Sequence, residues 1–169
     1  MEVCFMNVTV RKGTANDVAS VTALWRSLVG TAYCKWDEEY PGEAEASRDA
    51  AEGDLYVLCL ENGEIIGAMS AGDEEELWQA AFWSREIKRH CCCSRLGISV
   101  KYQNLGLAER LFSAVEQDVI KRGYDGIGFL VSPDHEAALA LYHKMNYIQV
   151  GEASFYELDW LCYEKKLKL

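Results

Sequence analysis

Two predicted strand–helix pairs follow each other between residues 89 and 146, and this order constrains the fold more than any other feature. The segment "RHCCCSRLGISV" (89–100) predicts a long strand, and residues 107–123 predict a helix with an apolar stripe at Leu107, Leu111, Val115 and Val119. Residues 125–131 predict a buried strand, and 132–146 predict a second helix with Asp134 as its N-cap. A helix that joins two strands favours a right-handed parallel crossover, so we expect an α/β (α+β) fold with a mixed sheet.

The N-terminal third of the chain predicts one strand and two helices. "VCFMNVTVR" (3–11) alternates apolar and polar residues, as a strand does. Residues 14–30 predict a helix with Thr14 as its N-cap, Gly30 as its end and an apolar face at Val18, Val21, Leu24, Trp25 and Leu28. A short polar helix is expected between the turn at Pro41 and Gly53.

The middle and the end of the chain predict two strand pairs. Asn62-Gly63 is a strong hairpin signal, and it joins two apolar runs within 55–71. Residues 147–167 predict a final strand pair. Between the third and fourth strands, residues 72–88 carry four consecutive acids and two Trp, an excursion that is more often functional than structural.

The turn "YQNLGLAERL" (102–111) places Gly106 and Ala108 where the helix begins. Helix N-termini offer unpaired backbone N–H groups and a positive dipole end, which suit a phosphate. The alternative is that these small residues only let the helix pack closely on a sheet. A Rossmann fingerprint is excluded because it needs three glycines in the turn after the first strand, whereas this turn has one and follows the fourth strand. A P-loop is excluded because no Gly-Lys-Ser/Thr follows.

Composition limits the class of protein. A chain of 169 residues, 50% of them hydrophobic, predicts a single domain over 1–169. The formal net charge of -10 argues against nucleic-acid binding. We find no apolar stretch for a membrane span and no leader pattern, so we expect a soluble, cytoplasmic protein, in which the seven Cys are reduced thiols.

Two motifs in order resemble those of the GNAT superfamily of acyl-CoA-dependent N-acetyltransferases. "LGISVKYQNLGLAERL" (96–111) is similar to that family's strand, Gln/Arg-x-x-Gly-x-Gly/Ala turn and helix, and "LVSPDHEAALALYHKMNYIQVG" (130–151) to its next strand, Leu-Tyr helix and return strand. The resemblance implies a mostly antiparallel central sheet with a central parallel strand pair, flanked by helices. It also implies acetyl-CoA as the co-substrate. The tail "ELDWLCYEKKL" (157–167) further resembles that of a bacterial subgroup of unknown substrate.

The resemblance also implies which residues hold acetyl-CoA. The pyrophosphate would lie on the backbone amides of the turn, which are those of Gln103, Asn104, Leu105, Gly106, Leu107 and Ala108. A backbone N–H of Leu96 or Ile98 would donate to the thioester carbonyl and stabilise the developing oxyanion. His135 stands where the family often has an Asn that helps fix the pantetheine arm.

Tyr142 matches the family tyrosine that protonates the departing thiolate, although a core aromatic on the helix face is the alternative. Two departures matter: Asn146 replaces a common Gly, and Cys92 stands where some members carry a glutamate as general base. The open candidates for this base are His90, Glu74, Glu75 and Glu76. We expect no metal, because His90 and Cys92 lie on one face of the strand and Cys91 and Cys93 on the other.

The sequence also leads to expectations about the acceptor, an alternative function and the oligomeric state. Aromatic residues beside the acidic runs 37–39 and 73–76 suit a cationic amine, either a small molecule or a peptide; they are Trp25, Trp36, Tyr40, Trp78 and Trp83. The alternative to an N-acetyltransferase is a non-catalytic acyl-CoA sensor, and a longer acyl group is a third, remoter reading. "FYELDWLCYEKKL" (155–167) could pair across a homodimer or within one chain.

Overall fold

A computed structural model describes residues 6–168 of the chain. Within this range seven strands form a mixed sheet in the order β1-β2-β3-β4-β5-β7-β6. The strands are β1 Val8–Lys12, β2 Leu55–Leu60, β3 Ile65–Gly72, β4 His90–Ile98, β5 Gly126–Val131, β6 Ile148–Phe155 and β7 Leu158–Lys166. The α-helices that flank the sheet are α1 Val18–Leu28, α2 Glu43–Glu52, α3 Leu107–Lys121 and α4 Glu136–Lys144.

The strand directions confirm the predicted mixed sheet. β4 and β5 run parallel, whereas the β1–β2, β2–β3, β5–β7 and β6–β7 pairs are antiparallel. The opening strand was predicted over 3–11; β1 covers its second half, and residues 3–5 lie outside the described range. No described helix has both the length and the apolar character that a membrane crossing requires.

The described residues divide into two compact units. The first contains the chain up to Ala71 together with Arg95–Val115, and the second contains Gly72–Ser94 together with the chain from Glu116 onward. The expectation of a single domain over 1–169 stays a prediction.

The core of the first unit is formed by α1, α2 and the first three strands. Its buried side chains include four of the α1 stripe and the inward residues of β2, namely Val21, Leu24, Trp25, Leu28, Leu55 and Val57. The predicted capping box of Thr14 and Asp17 is present, but it caps a short 3₁₀ turn, Ala15–Asp17. α1 itself begins at Val18, with Asp17 at its N-cap position. Gly53 ends α2 with φ +76°, and Gly63 turns the β2–β3 hairpin with φ +89°.

The second unit contains β5, β6, β7 and α4. β7 pairs with β5 on one edge and with β6 on the other, so the intramolecular alternative for the last strand is the one observed. The N-cap predicted for α4 is wrong. His135 caps the helix, because its Nδ1 accepts from the N–H of Ala138 at 3.3 Å, while the Asp134 carboxylate accepts from the Ser132 hydroxyl.

Candidate functional site

The turn before α3 belongs to the first unit and has the geometry of an anion site. Asn104 and Gly106 both have left-handed backbone angles, with φ +62° and +75°. None of the backbone N–H groups of 104–108 donates to a backbone carbonyl within residues 6–168. An added Cβ at Gly106 would meet no described atom within 4 Å, so this glycine serves the backbone conformation and the space beside it is open.

Gln103 shapes this turn from within. Its backbone N–H donates to the carbonyl of Val100 at 3.3 Å, and its side-chain amide donates to the carbonyl of Ile98 at 3.0 Å. The side chain of Leu107 is buried and anchors the first turn of α3, while Asn104 and Gly106 are exposed. Open N–H groups at the positive end of a 15-residue helix suit a diphosphate, so the residues fit acetyl-CoA there.

The described pairing of β4 with β5 covers only the first part of β4. The register between β4 and β5 ends at Cys92↔Gly128. Directly after β4, the N–H of Ser99 donates to the carbonyl of Ile66 in β3 at 2.8 Å. Because N–H groups alternate in direction along a strand, those of Leu96 and Ile98 point away from β3.

Arg95 lies within β4 with an irregular backbone angle, and the sequence pattern did not indicate it. Its φ is +53°, an uncommon value for a residue other than glycine inside a strand. Its guanidinium donates to Oδ2 of Asp49 from Nη2 at 2.8 Å and from Nε at 3.1 Å. One signal could have identified the partner: Asp49 lies three residues after Ala46, on the buried face of α2.

Tyr142 lies in the second unit and faces an aromatic core. Its side chain is 8% exposed, and its ring centroid lies 4.4 Å from that of Phe129 and 6.2 Å from that of Tyr147. Burial, with the Cys93 thiol nearby, raises the pKa of Tyr142 above its ordinary value of 10. The phenol therefore keeps its proton at neutral pH, as a general acid must.

His135 and Asn146 both depart from the family pattern, and the backbone around each of them accommodates the change. Because Nδ1 of His135 accepts a hydrogen bond from the α4 backbone, the proton of the neutral ring is on Nε2, which can donate. Burial lowers the pKa of His135, which favours this neutral form. Asn146 has φ +68°, a conformation that Asn adopts more readily than most residues, so the turn before β6 tolerates the missing glycine.

The candidates for the general base have different surroundings. His90 is buried, and its Nε2 lies 3.1 Å from Oε2 of Glu164. Its ring stacks on that of Trp78, with 4.6 Å between the ring centroids. The three glutamates Glu74, Glu75 and Glu76 are exposed. Cys92 packs in an apolar cluster with Leu77, Trp83 and Cys162, where it cannot serve as a base. No cluster of three or more potential metal ligands occurs within the described residues.

The aromatic residues predicted to bind the acceptor amine differ in burial and do not line a single site. Trp25 and Trp83 are core residues, and the Trp25 indole donates to the carbonyl of Arg95 at 3.1 Å. Trp36 is half-buried against Trp25, and Tyr40 is exposed.

In the second unit a cavity of about 670 Å³ has Glu75, Trp78, Trp83 and His90 in its wall. The excursion between β3 and β4 therefore does surround a cavity.

Comparisons with known proteins agree with this geometry. A family model described as the acetyltransferase (GNAT) family matches residues 21–147. An acetyltransferase of Pectobacterium atrosepticum is 26% identical over 133 residues, covering 78% of this chain and 82% of that protein.

Two solved structures below 25% identity share the fold. A phosphinothricin acetyltransferase of Sinorhizobium meliloti, solved in complex with AcCoA, matches with a TM-score of 0.74 at 21% identity, over 96% of this chain and 89% of that one. An acetyltransferase of Salmonella typhimurium, solved with its cofactor acetyl-CoA, matches with a TM-score of 0.73 at 19% identity, over 96% and 95%. The match over most of the chain, together with the turn before α3, identifies the protein as a member of the GNAT family and as an acetyltransferase.

Proposed function

We propose that this protein transfers the acetyl group of acetyl-CoA to a primary amine by direct attack in a ternary complex. The observation that carries the proposal is the turn 104–108, with its open N–H groups at the start of α3. When bound, acetyl-CoA supplies an activated acetyl group as a thioester. The proposed direct attack involves no acyl-enzyme. In keeping with this, burial raises the pKa values of the Cys59, Cys93 and Cys162 thiols, which makes these three poor nucleophiles.

In this proposal each predicted site residue has a defined role. The N–H groups of 104–108 bind the diphosphate, and Nε2 of His135 donates to the pantetheine arm. The N–H groups of Leu96 and Ile98, which point away from β3, donate to the thioester carbonyl, where negative charge develops. The Tyr142 hydroxyl gives its proton to the departing sulfur.

The acceptor is an amine, offered as a small molecule or as a peptide. The acidic residues at 37–39 and Glu75 are exposed, and half-buried indoles lie close to them in sequence at Trp36 and Trp78. Carboxylates and indole faces attract ammonium groups. A homodimer through the last strand is not part of this proposal, because β7 lies between β5 and β6.

A cytoplasmic location is also part of the proposal. The six described cysteines are free thiols, as is usual in a reducing compartment.

A titration tests the cofactor site. Gly106→Glu places a carboxylate in the turn and should abolish the binding of CoA in a calorimetric titration, because it repels phosphate and must adopt a positive φ. Gly63→Glu is the matched control: it also has a positive φ and open surroundings, but lies in the β2–β3 hairpin. Equal loss in both variants, or none in Gly106→Glu, would contradict the phosphate site.

A thiol-release screen with acetyl-CoA and mixed amines tests catalysis. Release with an amine pool, reduced about 10²-fold in Tyr142→Phe at unchanged CoA affinity, would support the enzyme with Tyr142 as its acid. The second candidate function is a non-catalytic acyl-CoA sensor, which the apolar surroundings of Cys92 favour. Tight CoA binding without release from any pool would support that function.

A further inference from the structure

The first unit contains a buried ion pair at the point where β4 changes its backbone direction. Asp49 of α2 is 2% exposed, and its Oδ2 accepts from two nitrogens of Arg95 and from the Ser70 hydroxyl at 2.5 Å. Arg48 lies 3.5 Å from the other carboxylate oxygen. A carboxylate removed from water to this degree is held in place by its partners, since it has lost the hydration that an exposed carboxylate keeps.

Arg95 is held from several directions. Its Nη1 donates to the Tyr40 hydroxyl at 3.1 Å, its other nitrogens donate to Asp49, and its carbonyl accepts from the Trp25 indole. A left-handed backbone angle in a residue with a side chain is unfavourable, and it persists where surrounding contacts fix it. These contacts of side chain and carbonyl are what fix φ +53° at this position.

The kink at Arg95 determines where the next N–H groups point. An irregular residue within a strand changes the alternation of the residues after it and so re-aims their N–H groups. Downstream, Ser99 donates to β3, which leaves Leu96 and Ile98 directed away from β3. With Arg95 in a regular extended conformation, the opposite set of N–H groups would face away.

We propose that Asp49 and Arg95 are positioning residues, whose buried ion pair holds the kink that aims the N–H groups of Leu96 and Ile98 at the acetyl carbonyl. This inference rests on the proposed function, because it needs acetyl-CoA bound along β4. Asp49 and Arg95 touch neither the acetyl group nor the acceptor in this proposal. They act through the backbone of β4.

The test is the infrared stretch of ¹³C-labelled acetyl-CoA bound to the protein. A hydrogen bond to the carbonyl lowers its stretching frequency, so the wild type should show a shift from the free value. Asp49→Asn should lose this shift while its affinity for CoA, set by the turn 104–108, stays unchanged. Once an acceptor amine has been identified, the kcat of Asp49→Asn should fall about 10²-fold at unchanged KM for acetyl-CoA, the usual cost of a lost oxyanion donor.

Asp17→Asn is the matched control. Asp17 also forms a two-point ion pair in the first unit, with Arg11 at 2.7 and 2.9 Å, but this pair lies beside α1 rather than β4. Its loss should lower stability and leave the infrared shift intact. Arg95→Lys, which keeps the charge and loses the two-point geometry, replaces Asp49→Asn if that variant does not fold.

The outcomes separate the two proposals. An unchanged shift in Asp49→Asn and Arg95→Lys would overturn the positioning role, and so would the absence of any shift in a wild type that binds acetyl-CoA. Loss of the shift in Asp17→Asn as well would assign the effect to general stability and overturn it too. A wild type that does not bind acetyl-CoA would overturn the proposed function.

Discussion

The Tyr147 hydroxyl donates a hydrogen bond of 2.6 Å to Oε1 of Glu116, inside the second unit. Glu116 is 8% exposed, and Lys165 donates to the same carboxylate at 3.0 and 3.2 Å. Burial, with the Cys93 thiol and this carboxylate nearby, raises the pKa of Tyr147, so the phenol remains a donor. α3 and β7 are therefore joined by a charged group that carries three hydrogen bonds.

Tyr147→Phe should lower the free energy of unfolding by about 1.5–3 kcal/mol, because it removes a hydrogen bond to a buried charged group. Chemical denaturation measures the change. Tyr163→Phe is the control, since its hydroxyl pairs with a ring nitrogen, Nε2 of His143, at the longer distance of 3.3 Å rather than with a carboxylate. A cost for Tyr147→Phe no larger than that of the control would contradict the prediction.

Stability should depend on pH through Asp17. Hydrogen bonding from Arg11, against the effect of burial, lowers the pKa of Asp17 from 3.8 to about 2. The folded state therefore gains stability above 3.8 and loses it as the pH falls toward 2. Asp17→Asn should cost about 1–2 kcal/mol at neutral pH, given the exposed Arg11, and this difference should vanish in acid. An equal difference at every pH would count against the ion pair.

Gly106→Ala should destabilise the protein by about 1–2 kcal/mol, because alanine must adopt the left-handed backbone conformation there. The added methyl group meets no described atom within 4 Å, so no new contact offsets this cost. Gly106→Asn should cost less, because Asn tolerates that conformation. Gly63→Ala should lose similar stability in the hairpin. Only the change at Gly106 should also weaken CoA binding in calorimetry; equal affinities for the two Ala variants would contradict this.

Tyr142 should keep its proton in alkaline solution, because burial raises its pKa. The ratio of wild-type to Tyr142→Phe turnover should therefore stay constant as the pH rises to about 10, the ordinary pKa of tyrosine. Profiles of kcat against pH for both proteins measure this ratio. A ratio that falls across the alkaline range would mean that the Tyr142 phenol titrates there.

Local patterns in the sequence were enough to predict most elements of the fold. The α1 and α3 stripes follow helical spacing, and Gly53 and Gly63 end or turn elements where their backbone freedom is needed. The parallel β4–β5 pair followed from the helix between those strands. Periodicity and turn residues act over short stretches of chain, which is why the sequence reveals them.

Pairing between distant side chains could not be predicted in this way. Arg95 meets Asp49 across 46 residues, and Tyr147 meets Glu116 across 31, so no local spacing relates them. The predicted N-cap of α4 was wrong for a different reason. Asp134 and His135 can both cap a helix; in the structure His135 does so, while the Asp134 carboxylate accepts from the Ser132 hydroxyl.

The position of β7 between β5 and β6 has a consequence for synthesis of the chain. β6 leaves the ribosome before β7, yet the described pairing of β6 is with β7. β6 therefore cannot pair in its final position until β7 has been synthesised. Until residues 158–166 emerge, the edge of β5 that β7 will cover is open to any other strand. The nascent second unit is therefore most exposed to wrong pairing just before its last strand arrives.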